Sequence, residues 1–181
     1  MATFDYEKLL IDIPDYPEPG VVFKDVTPLI ASPQGLAAVV DDIATHFMGR
    51  KITKVVGTEA RGFLLGAPVA YRLGVGFVPA RKPNKLPRAV FRESYSLEYG
   101  VDILEMHQDA LTPDDNVLIV DDLVATAGTA IATARLCEAA GANLVGFAFL
   151  LELEFLYPRK IIKGAHYDQE VYSLIKVANV N

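Results

Sequence analysis

Val117-Leu118-Ile119-Val120-Asp121-Asp122-Leu123-Val124-Ala125-Thr126-Ala127-Gly128-Thr129 decides the fold class. Its first four residues are continuously aliphatic, as expected of a strand buried on both faces of a parallel sheet. Asp121 and Asp122 close that run, and the small and hydroxyl residues after them lead into an alanine-rich helical pattern from Gly128 to Ala140. A turn from strand into helix aims several backbone N–H groups at one point, where the helix dipole also favours an anion. Thr126 and Thr129 add hydroxyl donors. The paired carboxylates do not bind that anion. They suit a sugar diol or a metal-bound water a few ångströms away. Other phosphate motifs do not fit: no lysine precedes the Ser/Thr as a Walker A loop requires, and the three-glycine dinucleotide fingerprint is missing. Nor is there the lone aspartate, with a further acid two residues on, of an aspartyl-phosphate enzyme.

The same rhythm extends to both sides. Upstream, Lys54–Thr58 is β-rich, Glu59-Ala60-Arg61-Gly62-Phe63 opens a helix to about Arg72, and Gly76–Ala80 reads as another strand. Downstream, 142–153 is again strand-like. Ser32-Pro33 opens a helix over roughly 34–48, with Ser32 as its cap and Pro33 at the first helical position. Prolines at 14, 17 and 19 make 13–20 irregular, and Arg81–Tyr99 reads as a loop or short hairpin. Strand–helix–strand repetition predicts an α/β fold with a central, mostly parallel sheet flanked by helices, formed by residues 1–181 as one domain. In such sheets ligands sit beyond the carboxyl ends of the strands, so the residues just after each apolar run are the informative ones.

Composition bounds the partners. Half of the 181 residues are hydrophobic (51%) and 22% are charged, enough apolar material for a full core. A net charge of −6 argues against general affinity for nucleic acid or an anionic membrane, so an anionic ligand needs a local positive site. Cys137 is the single cysteine, which excludes an intrachain disulfide. No apolar run reaches spanning length, and Met1–Glu7 lacks the basic and apolar regions of a signal peptide. A soluble cytoplasmic protein is expected. His46, His107 and His166 have no metal-ligand spacing and read as incidental.

Val117–Thr129 resembles the ribose-5-phosphate signature of type I phosphoribosyltransferases. That resemblance implies that Asp121 and Asp122 take the ribose hydroxyls and that Ala125, Thr126, Ala127, Gly128 and Thr129 wrap the 5′-phosphate. Ala127 stands where many members have glycine, and an αR or bridge conformation is expected there. Four further segments resemble those of the adenine phosphoribosyltransferases within that family. Pro17–Leu29 resembles their base-binding hood (about 13–30), Tyr95–Gly100 their mobile catalytic loop (about 83–100), and Glu59–Phe63 with Arg81–Pro87 their pyrophosphate-handling segments.

The resemblance implies transfer of a phosphoribosyl group from phosphoribosyl pyrophosphate (PRPP) to adenine, giving AMP and pyrophosphate through an oxocarbenium-like displacement. Such chemistry needs positioning and charge neutralisation. Glu59, Ala60, Arg61, Arg81, Lys82 and Lys85 would meet the pyrophosphate, with Mg²⁺ held mainly by substrate and water. Taken alone, the basic group reads equally well as a solvated surface cluster. Val22, Phe23 and Lys24 would hold the adenine, with Leu153 on its other side; Phe23 alone also reads as a core aromatic. Many relatives carry arginine at the position of Lys24. Glu98 is the candidate for proton handling near N7, with Tyr99 closing over the site; outside this context Glu98 is an ordinary loop glutamate. Phe155–Lys160 reads as a packing or subunit surface. The family further implies a homodimer and a cis peptide between Glu59 and Ala60. Two alternatives stand beside this reading: transfer to another purine base, and a non-catalytic regulator of the same fold that senses the ribose donor.

Overall fold

In the computed structural model the described residues are 4–16, 19–96 and 101–179. The irregular, proline-rich start is an antiparallel hairpin of β1 (Ile11–Pro14) and β2 (Val22–Asp25), in which Ile13 faces Phe23 across the pair. Two helices follow, α1 (Thr27–Ala31) and α2 (Pro33–Phe47). The Ser32 side chain caps α2 as the sequence predicts, its hydroxyl accepting from the Gly35 N–H at 3.1 Å.

Next come β3 (Lys54–Thr58), α3 (Gly62–Leu73) and β4 (Gly76–Ala80). The basic and aromatic stretch after β4 is a hairpin of β5 (Val90–Ser96) and β6 (Val101–His107). The chain ends with β7 (Asn116–Val124), α4 (Gly128–Ala139), β8 (Asn143–Leu153), α5 (Pro158–Gly164) and β9 (Glu170–Val177). Glu98 and Tyr99 lie outside the described residues.

The central sheet has five strands in the order β4-β3-β7-β8-β9, and every neighbouring pair is parallel. From β3 the chain runs outward to β4; from β7 it runs the other way to β8 and β9. The order therefore reverses between β3 and β7, the position where open α/β sheets leave a crevice at their carboxyl ends.

Alternation along the strands splits the core between the two faces. Leu118, Val120, Ala148 and Leu150 join Val39, Ile43 and Phe47 of α2 and Leu65 and Val69 of α3 on one side. Val117, Ile119, Phe147 and Phe149 join Ile131, Leu136 and Cys137 of α4 on the other. Each fully buried side chain of this size contributes about 1.5–3 kcal/mol. The helices are thereby fixed on a rigid sheet whose carboxyl edge carries the site. No helix among the described residues is long and apolar enough to cross a membrane.

Candidate active site

β7 continues four residues past the end of its aliphatic run. It pairs with β3 only as far as Val120, opposite Gly57, but with β8 as far as Val124, opposite Glu152. Asp121 and Asp122 are thus still in a strand whose neighbour on one side has already turned away. Into that gap come the residues that follow β3. A cleft of 330 Å³ is lined by Glu59, Ala60, Arg61, Tyr95, Asp121, Asp122, Leu123 and Thr129. The peptide between Glu59 and Ala60 is cis, as the family resemblance implies.

The two acids have different surroundings. Burial, reinforced by the charge of Asp122, pushes the Asp121 carboxyl well above the ordinary carboxylate range. Asp122 takes the Nε of Arg61 at 2.6 Å. Gly62 is required beside them, because a Cβ there would stand 2.8 Å from Asp121 Oδ1. Beneath the cleft, the buried hydroxyls of Thr58 and Thr133 lie 3.3 Å apart, and Thr133 donates to the carbonyl of Thr129 at 2.9 Å. This buried link ties the end of β3 to the first turns of α4.

Ala125, Thr126, Ala127, Gly128 and Thr129 curl around a second space of 100 Å³. Ala127 does not take the expected αR or bridge conformation: its φ is 62° and its ψ is 3°. The turn between strand and helix dictates this conformation. In it the Ala127 carbonyl accepts from the Ile131 N–H at 3.0 Å and so starts α4, while the methyl group is buried. Holding a Cβ in the left-handed region costs about 1 kcal/mol, which the packing around it offsets.

A third space of 270 Å³, mostly apolar, lies between the hairpin of β1 and β2 and the end of the sheet. It brings Val22, Phe23 and Lys24 opposite Leu153, as the sequence anticipates, but also Leu123, Phe155 and Leu156. Phe155 and Leu156, read from sequence as a packing or subunit surface, thus line this apolar cavity. Phe23 is braced edge-on by Tyr16, with ring centroids 5.4 Å apart. Lys24 donates to Asp12 Oδ2 across the hairpin at 2.7 Å, so its ammonium is already partnered. Leu123 borders all three spaces and is the joint between them. Its only sequence signal is its place between the acids and the loop.

The basic segment does not line the cleft; it is tethered beside it. The Glu59 carboxylate accepts from the Lys82 N–H at 2.8 Å and from Arg81 Nε and Nη2 at 3.2 and 3.3 Å. Burial opposes ionisation of Glu59, but these donors outweigh it and hold its carboxyl below the ordinary range. Lys82 pairs with Asp102 and reaches the Tyr95 hydroxyl at 3.3 Å. Arg81 Nη1 donates to the Lys85 carbonyl at 3.4 Å. Among the described residues, no group of three or more His, Cys, Asp or Glu side chains converges to hold a metal ion.

Residues 28–180 match the model of the phosphoribosyl transferase domain. The chain is 57% identical over 152 residues to the adenine phosphoribosyltransferase of Myxococcus xanthus, covering 84% of this chain and 83% of that one. Among solved structures it is similar to the adenine phosphoribosyltransferase of Thermoanaerobacter pseudethanolicus (45% identity, TM-score 0.89, covering 95% of this chain and 98% of that chain). It is also similar to the APRTase of Giardia lamblia complexed with 9-deazaadenine (39% identity, TM-score 0.90, covering 99% of each chain). With a cleft at the sheet reversal, a phosphate-sized loop and these likenesses over most of its length, the chain belongs to the phosphoribosyl transferase family, in its adenine phosphoribosyltransferase branch.

Proposed function

We propose that this chain transfers the 5-phosphoribosyl group of phosphoribosyl pyrophosphate to adenine, forming AMP and releasing pyrophosphate. The observation that carries this reading is the convergence of three spaces on Leu123: an apolar slot, an acid-lined cleft and a loop of backbone donors. Their order matches base, ribose and 5′-phosphate. In the reaction N9 of adenine, as the tautomer protonated at N7, bonds to the anomeric carbon, the bond from that carbon to the pyrophosphate oxygen breaks with its electron pair, and the N7 proton passes to Glu98.

In this reading the loop 125–129 and the N-terminus of α4 hold the 5′-phosphate, while Asp121 and Asp122 fix the ribose hydroxyls. Arg61 offers the pyrophosphate a planar fork. Arg81, Lys82 and Lys85 add charge once freed from Glu59 and Asp102. Phe23 and Leu153 enclose the base, and Val22 and Lys24 read its edge. Glu98 handles the proton near N7 and Tyr99 covers the site, the β5–β6 hairpin carrying both. Mg²⁺ supplies charge neutralisation when bound with the substrate; the sparse carboxylates here suit an ion that keeps waters and substrate oxygens as its main ligands, with Asp121 and Asp122 nearby.

A homodimer fits the exposed apolar stripe of Leu64 and Tyr71 on the outer face of α3. A reducing compartment such as the cytoplasm suits a chain whose one cysteine is free and buried. The direct test is product formation from PRPP and Mg²⁺ with adenine, hypoxanthine and guanine in parallel. AMP from adenine alone is expected. Product from another base would move the specificity, and tight donor binding without any product would leave a sensor of the ribose donor.

A further inference from the structure

The far wall of the base cavity belongs to the end of β8 and the turn that follows it. After Glu152 the chain leaves the sheet through Leu153, makes a 3₁₀ turn over Glu154–Leu156, and reverses at Tyr157 with φ 54°. No residue of that turn is buried, and Tyr157 is largely exposed. Yet Leu153, Phe155 and Leu156 supply three of the cavity walls. Leu153 is held by its pairing with Val177 and by packing on the core, whereas Phe155 and Leu156 sit half-buried in the turn.

Two ion pairs hold the segment: Lys176 Nζ on β9 lies 3.3 Å from Glu154 Oε1, and Arg159 reaches back across the turn to Glu152. Arg159, in the first turn of α5, donates Nε to Glu152 Oε1 at 2.8 Å and Nη2 to Oε2 at 2.7 Å, the two-pronged fit of guanidinium to carboxylate. Its Nη1 donates to the carbonyl of Val171 on β9 at 2.7 Å. Glu152 is only 1% exposed and sits in register with Val124, immediately before the phosphate loop, on one side and with Lys176 on the other. The carboxylate is thus anchored in the sheet, and the guanidinium ties the start of α5, where Pro158 is buried, back to it across the turn. Burial alone would raise the Glu152 pKa, but the Arg159 fork overrides it and keeps the carboxyl below its ordinary range.

We infer that Arg159 is a positioning residue for adenine: by clamping Glu152 across the turn it sets the wall formed by Phe155 and Leu156, without touching the base. This rests on the reading of the apolar slot as the adenine site. A guanidinium is needed because a lysine ammonium keeps the charge but cannot form the planar fork or reach the Val171 carbonyl in the same geometry.

The test is steady-state kinetics of AMP formation by R159K and E152Q, chosen because they keep the volume where an alanine would leave a buried group unpaired. Expected is a rise of about tenfold in KM for adenine, with kcat and KM for PRPP within about twofold of the parent. L156A, which trims the wall itself, should raise KM for adenine alike, and in the double variant R159K/L156A the two effects should be less than additive. An unchanged KM for adenine, or parallel losses in kcat and both KM values with a lowered melting temperature, would overturn the positioning role. A parent enzyme that makes no AMP from adenine would overturn the adenine reading itself, which the variants' behaviour leaves untouched.

Discussion

The Nε of Arg61 lies 2.6 Å from Asp122 Oδ2, so the cation that follows β3 and an acid of β7 neutralise each other across the cleft. With Arg61 half exposed, the pair adds little to folding stability but sets the charge that an entering donor meets. R61Q is expected to lower kcat by about 10²–10³, the usual effect of removing one donor to developing charge. Its melting temperature should stay within about 2 °C of the parent. Turnover assays on R61Q give the answer, and wild-type kcat would remove Arg61 from the chemistry.

Asp121 should trade stability for function. Its ionised form is opposed by burial and by Asp122, so D121N removes an unfavourable charge from the folded protein. The melting temperature should rise by about 2–4 °C, corresponding to about 1 kcal/mol, while AMP formation falls by at least about 10². Calorimetry beside the activity assay checks both halves; a lowered melting temperature would contradict the account of Asp121.

At Ala127 the left-handed backbone makes a sharp distinction between substitutions. A127G relieves the Cβ clash but loosens the unfolded chain, and should change stability by less than about 1 kcal/mol with activity retained. A127V places a β-branched side chain at φ 62° in a buried position and should cost about 2 kcal/mol or more, weakening PRPP binding with it. Urea melts and titration of PRPP into each variant provide the comparison.

Acid should weaken the fold from a definable set of groups. Glu59, Asp102, Asp115, Glu152 and Glu170 all have folded-state pKa values held below the ordinary carboxylate range, in each case by hydrogen-bond donors that outweigh burial. Their stabilisation is complete above the unfolded carboxylate range, about pH 4–5, and is lost as pH falls through the depressed folded values. Lys82 works in the opposite sense: burial lowers its pKa, but Asp102 and Tyr95 raise it more, so its contribution is lost only as pH rises past about 10.5. D102N should flatten both limbs in denaturant midpoints measured from pH 3 to pH 11.

Glu98 is tested by separating chemistry from affinity. E98Q should cut turnover far more than it weakens adenine binding, since an amide keeps the shape and loses the proton transfer. Equal losses, or none, would take the proton role from this residue.

The parallel sheet was readable because a strand buried on both faces must be continuously apolar, as Val117–Val120 and 144–151 are. The paired acids and the loop into α4 were readable because a strand–turn–helix needs small residues at fixed places. What escaped came from residues whose role depends on distant neighbours. Phe155 and Leu156 look like any surface-turn hydrophobics until Phe23 is brought across from the other end of the chain. The last strand, Glu170–Val177, mixes polar and apolar residues because it is an edge strand, and that masked it. Ala127 escaped for the opposite reason. Its local preference was read correctly, and closure of the loop overrode it.

The β1–β2 hairpin pairs with no strand of the five-stranded sheet. In the proposed reaction, selection of the base and handling of the sugar phosphate therefore fall to two separately built pieces that meet at Leu123. Sequence change in the hairpin can retune which heterocycle enters while the costlier, geometrically exacting phosphate machinery stays intact. The architecture thus leaves one half of the site free to diversify.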